Sequence, residues 1–137
     1  MEGTNLQDLY DRFFSKTDED FSFKAAQIFA LVDSAIAKSY KNVNHSLDYE
    51  LTDTDDFEGH FIEELDSDEI ELLALWMLYE WNRKRQQKLR AQKTMIGTKD
   101  FNRLEDRPRE LREVTLVMKD IMEEINALKN EFNTYKY

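Results

Sequence analysis

A chain of 137 residues is long enough for one domain with a modest hydrophobic core. The chain has only three glycines and one proline, which favours helices. It has no cysteine, which excludes a disulfide framework or a thiolate zinc site. The net charge of -10 argues against general affinity for nucleic acid, because phosphates are repelled. The first residues carry acids and lack a basic start followed by an apolar run, so we expect no secretion signal.

The charge is divided unevenly along the chain. Residues 1–80 contain 5 basic and 20 acidic residues, a net charge of -15, whereas residues 81–137 contain 14 basic and 9 acidic residues, a net charge of +5. An acidic front and a basic back can meet within one fold, or between one copy and its neighbour in a ring.

Two helices are predicted in the first third of the chain. Apolar residues of the stretch 5–15 recur at steps of three and four, which predicts a short amphipathic helix: Leu6, Leu9, Tyr10, Phe13 and Phe14. The acidic run at residues 17–20 is predicted to end it and to cap a second helix over residues 21–41. We expect the second helix to pack on the central helix described below.

Residues 42–65 have a different pattern, which predicts an extended arm or a small hairpin. Leu47, Tyr49 and Leu51 alternate with acidic residues, as in a strand. Phe57, Phe61 and Ile62 are expected to form an apolar cluster around Gly59. This part of the chain is also the most negative, and we expect an interaction surface at Asp53, Asp55, Asp56, Glu58, Glu63 and Glu64.

A central helix of about seven turns is predicted over residues 66–92. Asp66 or Ser67 suits the N-cap, and Glu69 follows Asp66 by the three residues of a capping box. The stretch 70–81 is apolar nearly all round, which indicates a helix enclosed by others. It is about 18 Å long, too short to cross a bilayer. Trp76 and Trp81 are therefore predicted in the core and not as stacking platforms for bases.

The central helix becomes strongly basic after Trp81, and five cations point to every side: Arg83, Lys84, Arg85, Lys88 and Arg90. One interpretation is a solvated helix end, where basic residues suit the negative end of the helix dipole. The other is a contact surface for an acidic protein or phosphate.

The last third of the chain predicts a loop and a final helix. Gly97 is expected to end the central helix, and in the loop that follows Phe101 and Leu104 are expected to pack back. The final helix, over residues 108–133, has proline in its first turn and Asp106 as its cap.

The final helix carries an apolar seam with steps of three and four residues: Leu111, Val114, Met118, Ile121, Ile125, Leu128 and Phe132. We expect it to pair antiparallel with the central helix, because short connections join neighbours. Leu116, Val117 and Met122 lie off the seam and can meet another subunit. The predicted fold is a single all-α domain over residues 1–137: a bundle of three to four helices with a small extended or hairpin segment between helices 2 and 3.

No arrangement of residues indicates catalysis, and we expect neither an enzyme nor a cofactor. His60 with Glu63 and Glu64 lacks a second histidine at helical spacing, and His45 lies elsewhere in the acidic segment, so no metal is expected. Glu58 stands where a calcium loop requires glycine. No glycine-rich phosphate loop and no serine nucleophile motif is present.

The order of parts resembles the head-to-tail connector or adaptor proteins of tailed bacteriophages. A turn at Gly59, His60 and Phe61 leads into the central helix, and a Lys-Asp-Phe loop at residues 99–101 precedes the long final helix. The resemblance covers residues 57–130. It implies a ring of identical subunits in the neck of the virion, assembled in the host cytoplasm, with portal and tail or stopper proteins as partners. It implies no membrane, and DNA would pass as cargo that does not adhere.

With this resemblance, residues 53–69 are expected to face the channel or a neighbouring subunit, and residues 83–90 to meet an acidic surface. Two interpretations of another class remain. One is an acidic mimic of DNA that occupies a DNA-binding protein. The other is a small cytosolic regulatory bundle that acts by protein contact and dimerises through its last helix.

Overall fold

The computed structural model describes residues 3–17, 24–104 and 106–135, with side chains placed through Phe132. In the described residues five helices accompany one two-stranded sheet: α1 Leu6–Ser15, α2 Ala25–Ser39, β1 Tyr49–Asp53, β2 Glu58–Phe61, α3 Ser67–Ile96, α4 Thr98–Arg103 and α5 Arg107–Tyr135. The fold is thus roughly all-α, with more helices than the three to four predicted.

The central helix α3 begins where the sequence predicts. Asp66 is the N-cap and forms a capping box with Glu69, whose Oε1 accepts the Asp66 N–H at 2.9 Å. The helix ends at Gly97, which has a φ of 80°, a conformation that glycine adopts without strain. It extends beyond the predicted residues 66–92 to Ile96, directly before the Gly97 that was expected to end this region, because no glycine or proline interrupts residues 93–96.

Helix α5 lies antiparallel to α3, as predicted. Near one end of the pair Arg107 donates to Gln92 at 2.8 Å, and further along Gln86 donates to Thr115 at 3.1 Å. The predicted seam faces inward: Val114, Met118, Ile121, Ile125 and Phe132 are buried, while Leu111 and Leu128 are partly buried.

The molecule divides into two parts. The body consists of the described residues of 3–80 and 119–135, and α1, α2, the hairpin and half of each long helix share its core. The stalk, the described residues of 81–118, extends from it as α4 and the other halves of α3 and α5. Its own small core contains Leu89, Val114 and Met118, against which Tyr79 and Leu111 pack.

Helix α1 is fastened to α3 by a carboxylate that binds two cations. Glu71 of α3 accepts from Arg12 Nη1 at 2.7 Å and also pairs with Lys16. Burial acts to raise the pKa of Glu71, but the hydrogen bonds from Lys16 and Arg12 outweigh it, so the pKa lies below its usual value. The pair of helices is therefore held by ionised groups as well as by apolar contact.

Residues 42–65 form the predicted small hairpin. β1 pairs antiparallel with β2, Tyr49 opposite Phe61, and an irregularity lies between Leu51 and Asp53. The start of the chain adds to the free edge of β2, since Gly3 donates to the Phe61 carbonyl at 3.1 Å. The regular strand begins only at Tyr49, and Leu47 is buried ahead of it.

Two predicted contacts are wrong. Ile62, expected to cluster with Phe57 and Phe61, is 45% exposed, because successive residues of an extended chain face opposite sides and Phe61 faces inward. Leu104, expected to pack back with Phe101, is also 45% exposed, whereas Phe101 is buried. Leu104 has extended backbone at the end of α4 and so leaves the helical face that Phe101 occupies.

The segment predicted as a loop after Gly97 contains the short helix α4. Helix α2 is described from Ala25 to Ser39 and packs on α3 as expected. The predicted cap at residues 18–20 and the predicted helix start at residues 21–23 lie outside the described residues. Trp76 is buried and Trp81 is partly buried, as predicted for core residues.

The packing of α5 predicts a contrast between two of its apolar residues. Ile125 is 0% exposed, so Ile125→Ala is expected to lower the free energy of unfolding by about 2–5 kcal/mol in urea denaturation. Leu116 is 62% exposed, and Leu116→Ala is expected to change it by less than about 0.5 kcal/mol. Equal losses in the two variants would contradict the orientation of α5.

Candidate interaction surfaces

The fold separates the two signs of charge more completely than the sequence order does. Residues 81–118 contain 11 basic and 5 acidic residues, a net charge of +6, and the rest of the chain contains 8 basic and 24 acidic residues, a net charge of -16. The second half of α5 returns to the body and brings its acidic residues with it. The body is therefore acidic and the stalk is basic.

The tip of the hairpin carries four of the predicted acidic residues. The Asp53 carboxylate accepts the N–H groups of Asp55 at 2.9 Å and Asp56 at 3.2 Å, so Asp53 stabilises the turn. Asp55, Asp56 and Glu58 are exposed. Asp53 thus holds the turn, and the other three acidic residues of the tip are exposed to solvent.

Phe57 fixes the tip to the body. Its backbone φ is 55°, which is unusual for a residue with a large side chain. Its ring stacks on Phe29 at 4.6 Å between centroids, and its carbonyl accepts the Tyr10 hydroxyl at 2.8 Å. Burial raises the pKa of Tyr10 to about 12, which keeps this hydroxyl a donor.

A second acidic surface follows the hairpin, and we name it the acidic edge: Ile62, Glu63, Glu64, Asp66 and Asp68. All five residues are exposed. The backbone there is held in place, because Ile62 donates to the Asp48 carbonyl at 2.9 Å and Leu65 donates to Thr4 Oγ1 at 2.7 Å. The Glu63 carboxylate also accepts the Ser46 N–H at 2.5 Å. The acidic edge thus consists of extended chain that is held by hydrogen bonds, followed by the first turn of α3 at Asp68.

Glu69 joins the loop before β1 to the start of α3. Its carboxylate is 0% exposed; Oε2 accepts the N–H groups of Asn44 and His45 at 3.0 Å each. Oε1 accepts the Asp66 N–H at 2.9 Å and lies 2.5 Å from His45 Nδ1. Sequence reasoning identified Glu69 as a capping residue but missed His45, because 24 residues separate them.

The two groups shift each other's pKa. The hydrogen bond with Glu69 raises the pKa of His45 above 6.5. Burial acts to raise the pKa of Glu69, but the hydrogen bonds from Asp66 and His45 outweigh it and hold the pKa below 4.5. Both shifts favour the ionised form of the group concerned.

His45, Asp66 and Glu69 are also close enough to be considered as a metal site, since one ligand atom from each lies within 4.8 Å of the others. The four contacts to the Glu69 carboxylate occupy both of its oxygens. A cation would have to displace them, so we assign the cluster a structural role. His60, the other histidine weighed as a ligand, lies 3.8 Å from Glu50 across the hairpin.

The five predicted cations of α3 fall into two groups. Arg83 donates to the buried carboxylate of Glu80 at 2.9 Å, which lowers the pKa of Glu80, and Arg85 lies 5.0 Å from the ring centre of Trp81. These two contribute to the packing of the stalk. The other three are exposed on its surface: Lys84, Lys88 and Arg90.

A groove of about 660 Å³ runs between α3 and α5 in the stalk. We name it the basic groove; its lining is Arg90, Lys93, Thr94, Leu111, Arg112, Thr115 and Leu116. Three cations and two leucines line it, and none of the described residues that line it is acidic. Sequence reasoning missed Lys93 and Arg112, which only the antiparallel pairing of the two helices brings to one place.

A smaller cleft of about 170 Å³ lies at the opposite end of the same helix pair. It is lined by Asn44, Asp66, Asp68, Leu128, Glu131 and Phe132. Three carboxylates and two apolar side chains therefore line the body end, where three cations and two leucines line the stalk end. The α3 and α5 pair has unlike ends, both with concave surfaces.

In comparisons with known proteins, the chain matches no family model, no curated protein and no solved structure. Among the residues that the structure describes, none of the helices combines the length and the apolar character that a membrane span requires.

The pair of His45 and Glu69 predicts how stability depends on pH. Because the pKa of folded His45 is raised, its contribution is complete below pH 6.5 and is lost as the pH rises through the folded value. The pKa of Glu69 is lowered, so its contribution is present above pH 4.5 and is lost as the pH falls through the folded value.

We therefore expect urea denaturation at pH 6 to show a larger stability difference between the native chain and His45→Gln than at pH 8. In a Glu69→Gln background this dependence should disappear, since the carboxylate that favours the imidazolium is gone. Glu69→Gln alone should cost about 1–3 kcal/mol at pH 6, because an NH2 group replaces one of the two carboxylate oxygens and the donors that faced that oxygen lose their acceptor. Parallel pH curves for the native chain and His45→Gln would contradict the coupling.

Proposed function

We propose that this chain is a structural virion protein of a tailed phage, of the head-to-tail connector or adaptor kind. It forms a ring of identical subunits below the portal and continues the DNA channel toward the tail. The observation that carries the proposal is the unlike charge of the two ends of one subunit, acidic at the body and basic at the stalk, with a concave surface at each.

A subunit with unlike ends favours contacts between different surfaces of neighbouring copies. Such heterologous contacts close into rings when the rotation between copies allows it. Complementary charge steers the encounter and sets the orientation of the copies, while apolar contact supplies affinity. Both features are present in the basic groove, where cations surround Leu111 and Leu116.

The acidic body also suits a protein that surrounds DNA without holding it. Phosphates are repelled by a surface on which carboxylates outnumber cations, so a duplex can move past it. Exposed carboxylates of the hairpin tip and of the acidic edge would supply that surface toward the channel or toward a neighbour. The resemblance described from the sequence supports the same function.

An acidic body alone would also suit a mimic of DNA. The 11 basic residues of the stalk argue against it, since a mimic has to present one sign of charge to its target. A regulatory bundle that dimerises through α5 would use like surfaces of two copies. The unlike ends of the helix pair favour the ring over that arrangement.

The exposed cations of the stalk provide the test. Lys84→Glu/Lys88→Glu is expected to reduce incorporation into phage particles at least tenfold while the melting temperature of the free subunit stays unchanged. Quantitative mass spectrometry of purified particles measures the incorporation. Arg83 is unsuitable for this reversal, because a glutamate there would lie beside the buried Glu80.

Lys119→Glu, an exposed reversal on α5 in the body, is the matched control and should incorporate normally. Normal incorporation of Lys84→Glu/Lys88→Glu would overturn the proposal that these exposed cations of the stalk meet an acidic surface in the particle. Light scattering with and without portal protein distinguishes the other functions. A stable dimer that never assembles further supports the regulator, and capture of a DNA-binding protein, reversed by duplex DNA, supports the mimic.

A further inference from the structure

We infer that the basic groove of the stalk receives the acidic edge of a second copy of this chain. The inference rests on the proposed function and specifies the contact by which neighbouring subunits of the ring would join. Two observations support the inference: the two surfaces are chemically complementary, and within one molecule they lie too far apart to meet.

The groove has the composition of a docking surface. Arg90 and Lys93 come from neighbouring turns of α3, and Arg112 reaches the same groove from α5. Leu116 is 62% exposed there, which leaves apolar surface in water. A partner that supplies carboxylates together with one apolar side chain would satisfy both the cations and the leucine.

The acidic edge offers that combination. Ile62 is 45% exposed, and among the described residues of the body only Tyr40 is a comparably exposed large apolar residue. Four exposed carboxylates follow Ile62 within six residues: Glu63, Glu64, Asp66 and Asp68. The backbone of the edge is already fixed by Asp48 and Thr4, so little conformational entropy is lost on docking.

The hairpin tip is a weaker candidate for the same groove. Its carboxylates are as numerous, but its one large apolar side chain, Phe57, stacks on Phe29 of the same molecule. The tip therefore offers charge without an apolar anchor. The acidic edge offers both.

The edge and the groove of one molecule cannot meet. Asp68 and Arg90 lie on the same uninterrupted helix α3, 22 residues apart. At 1.5 Å per residue the helix holds them about 33 Å from each other. A contact between the two surfaces therefore requires two copies. The copy that uses its groove keeps its edge free, and the copy that uses its edge keeps its groove free, so further neighbours can add.

Disulfide trapping tests the contact directly, because the chain contains no cysteine. Glu64→Cys on the edge and Thr94→Cys in the groove are prepared as separate proteins, mixed with portal protein and treated with a mild oxidant. The control pair replaces Glu64→Cys with Glu123→Cys, an exposed position on α5 in the body. We expect the target pair to crosslink in at least tenfold greater yield than the control pair. One chain with both cysteines should give a ladder of covalent oligomers.

Charge exchange provides a second measurement that uses no cysteine. Lys93→Glu is expected to reduce ring formation at least tenfold in light scattering, and Lys93→Glu/Glu64→Lys in one chain should restore it. Rings that form normally while the target pair crosslinks no better than the control pair would overturn this contact and leave the proposed function intact. Crosslinking without any ring would support the contact and overturn the connector. If neither the crosslink nor the ring forms, the contact and the proposed function are both overturned.

Discussion

The continuity of α3 is the constraint on which the rest of the structure depends. Its first half is buried among α1, α2, the hairpin and α5, and its second half leaves the body as the stalk. No proline or glycine interrupts it before Gly97, so a single rigid helix includes both the buried half in the body and the half in the stalk. The residues that start it, Asp66 and Glu69, also anchor the loop at His45. One helix thus fixes the core, the hairpin and the separation of charge.

Much of the fold could be predicted from the sequence, in the parts where local signals agree. The capping box at Asp66 and the φ requirement at Gly97 mark the ends of α3, and the seam from Leu111 to Phe132 marks the buried face of α5. These signals depend on residues within one or two turns of each other, so no knowledge of the fold is needed. The hairpin was indicated by alternation for the same reason, but the turn expected at Gly59, His60 and Phe61 is part of β2.

The rest depends on contacts that local patterns do not contain. The partner of Glu69 is His45, from a loop that has no periodicity, and the basic groove joins Lys93 to Arg112 of another helix. Arg83 looked like a free cation in the sequence, yet it neutralises the buried Glu80. Ile62 was expected in an apolar cluster because Phe61 precedes it, but successive residues of an extended chain face opposite sides, and Ile62 faces outward.

The length of the stalk explains why the opposite charges of one subunit do not neutralise each other. In physiological salt the interaction between exposed charges decays over about 8 Å, whereas α3 keeps Asp68 and Arg90 about 33 Å apart. Each surface is therefore electrically independent of the other within one copy. Brought together from two copies, the same groups would lie within hydrogen-bonding distance, where attraction is strong and water is partly excluded. In the proposed contact, the rigid helix α3 would therefore turn the charge asymmetry of one chain into a preference for contact with a second copy.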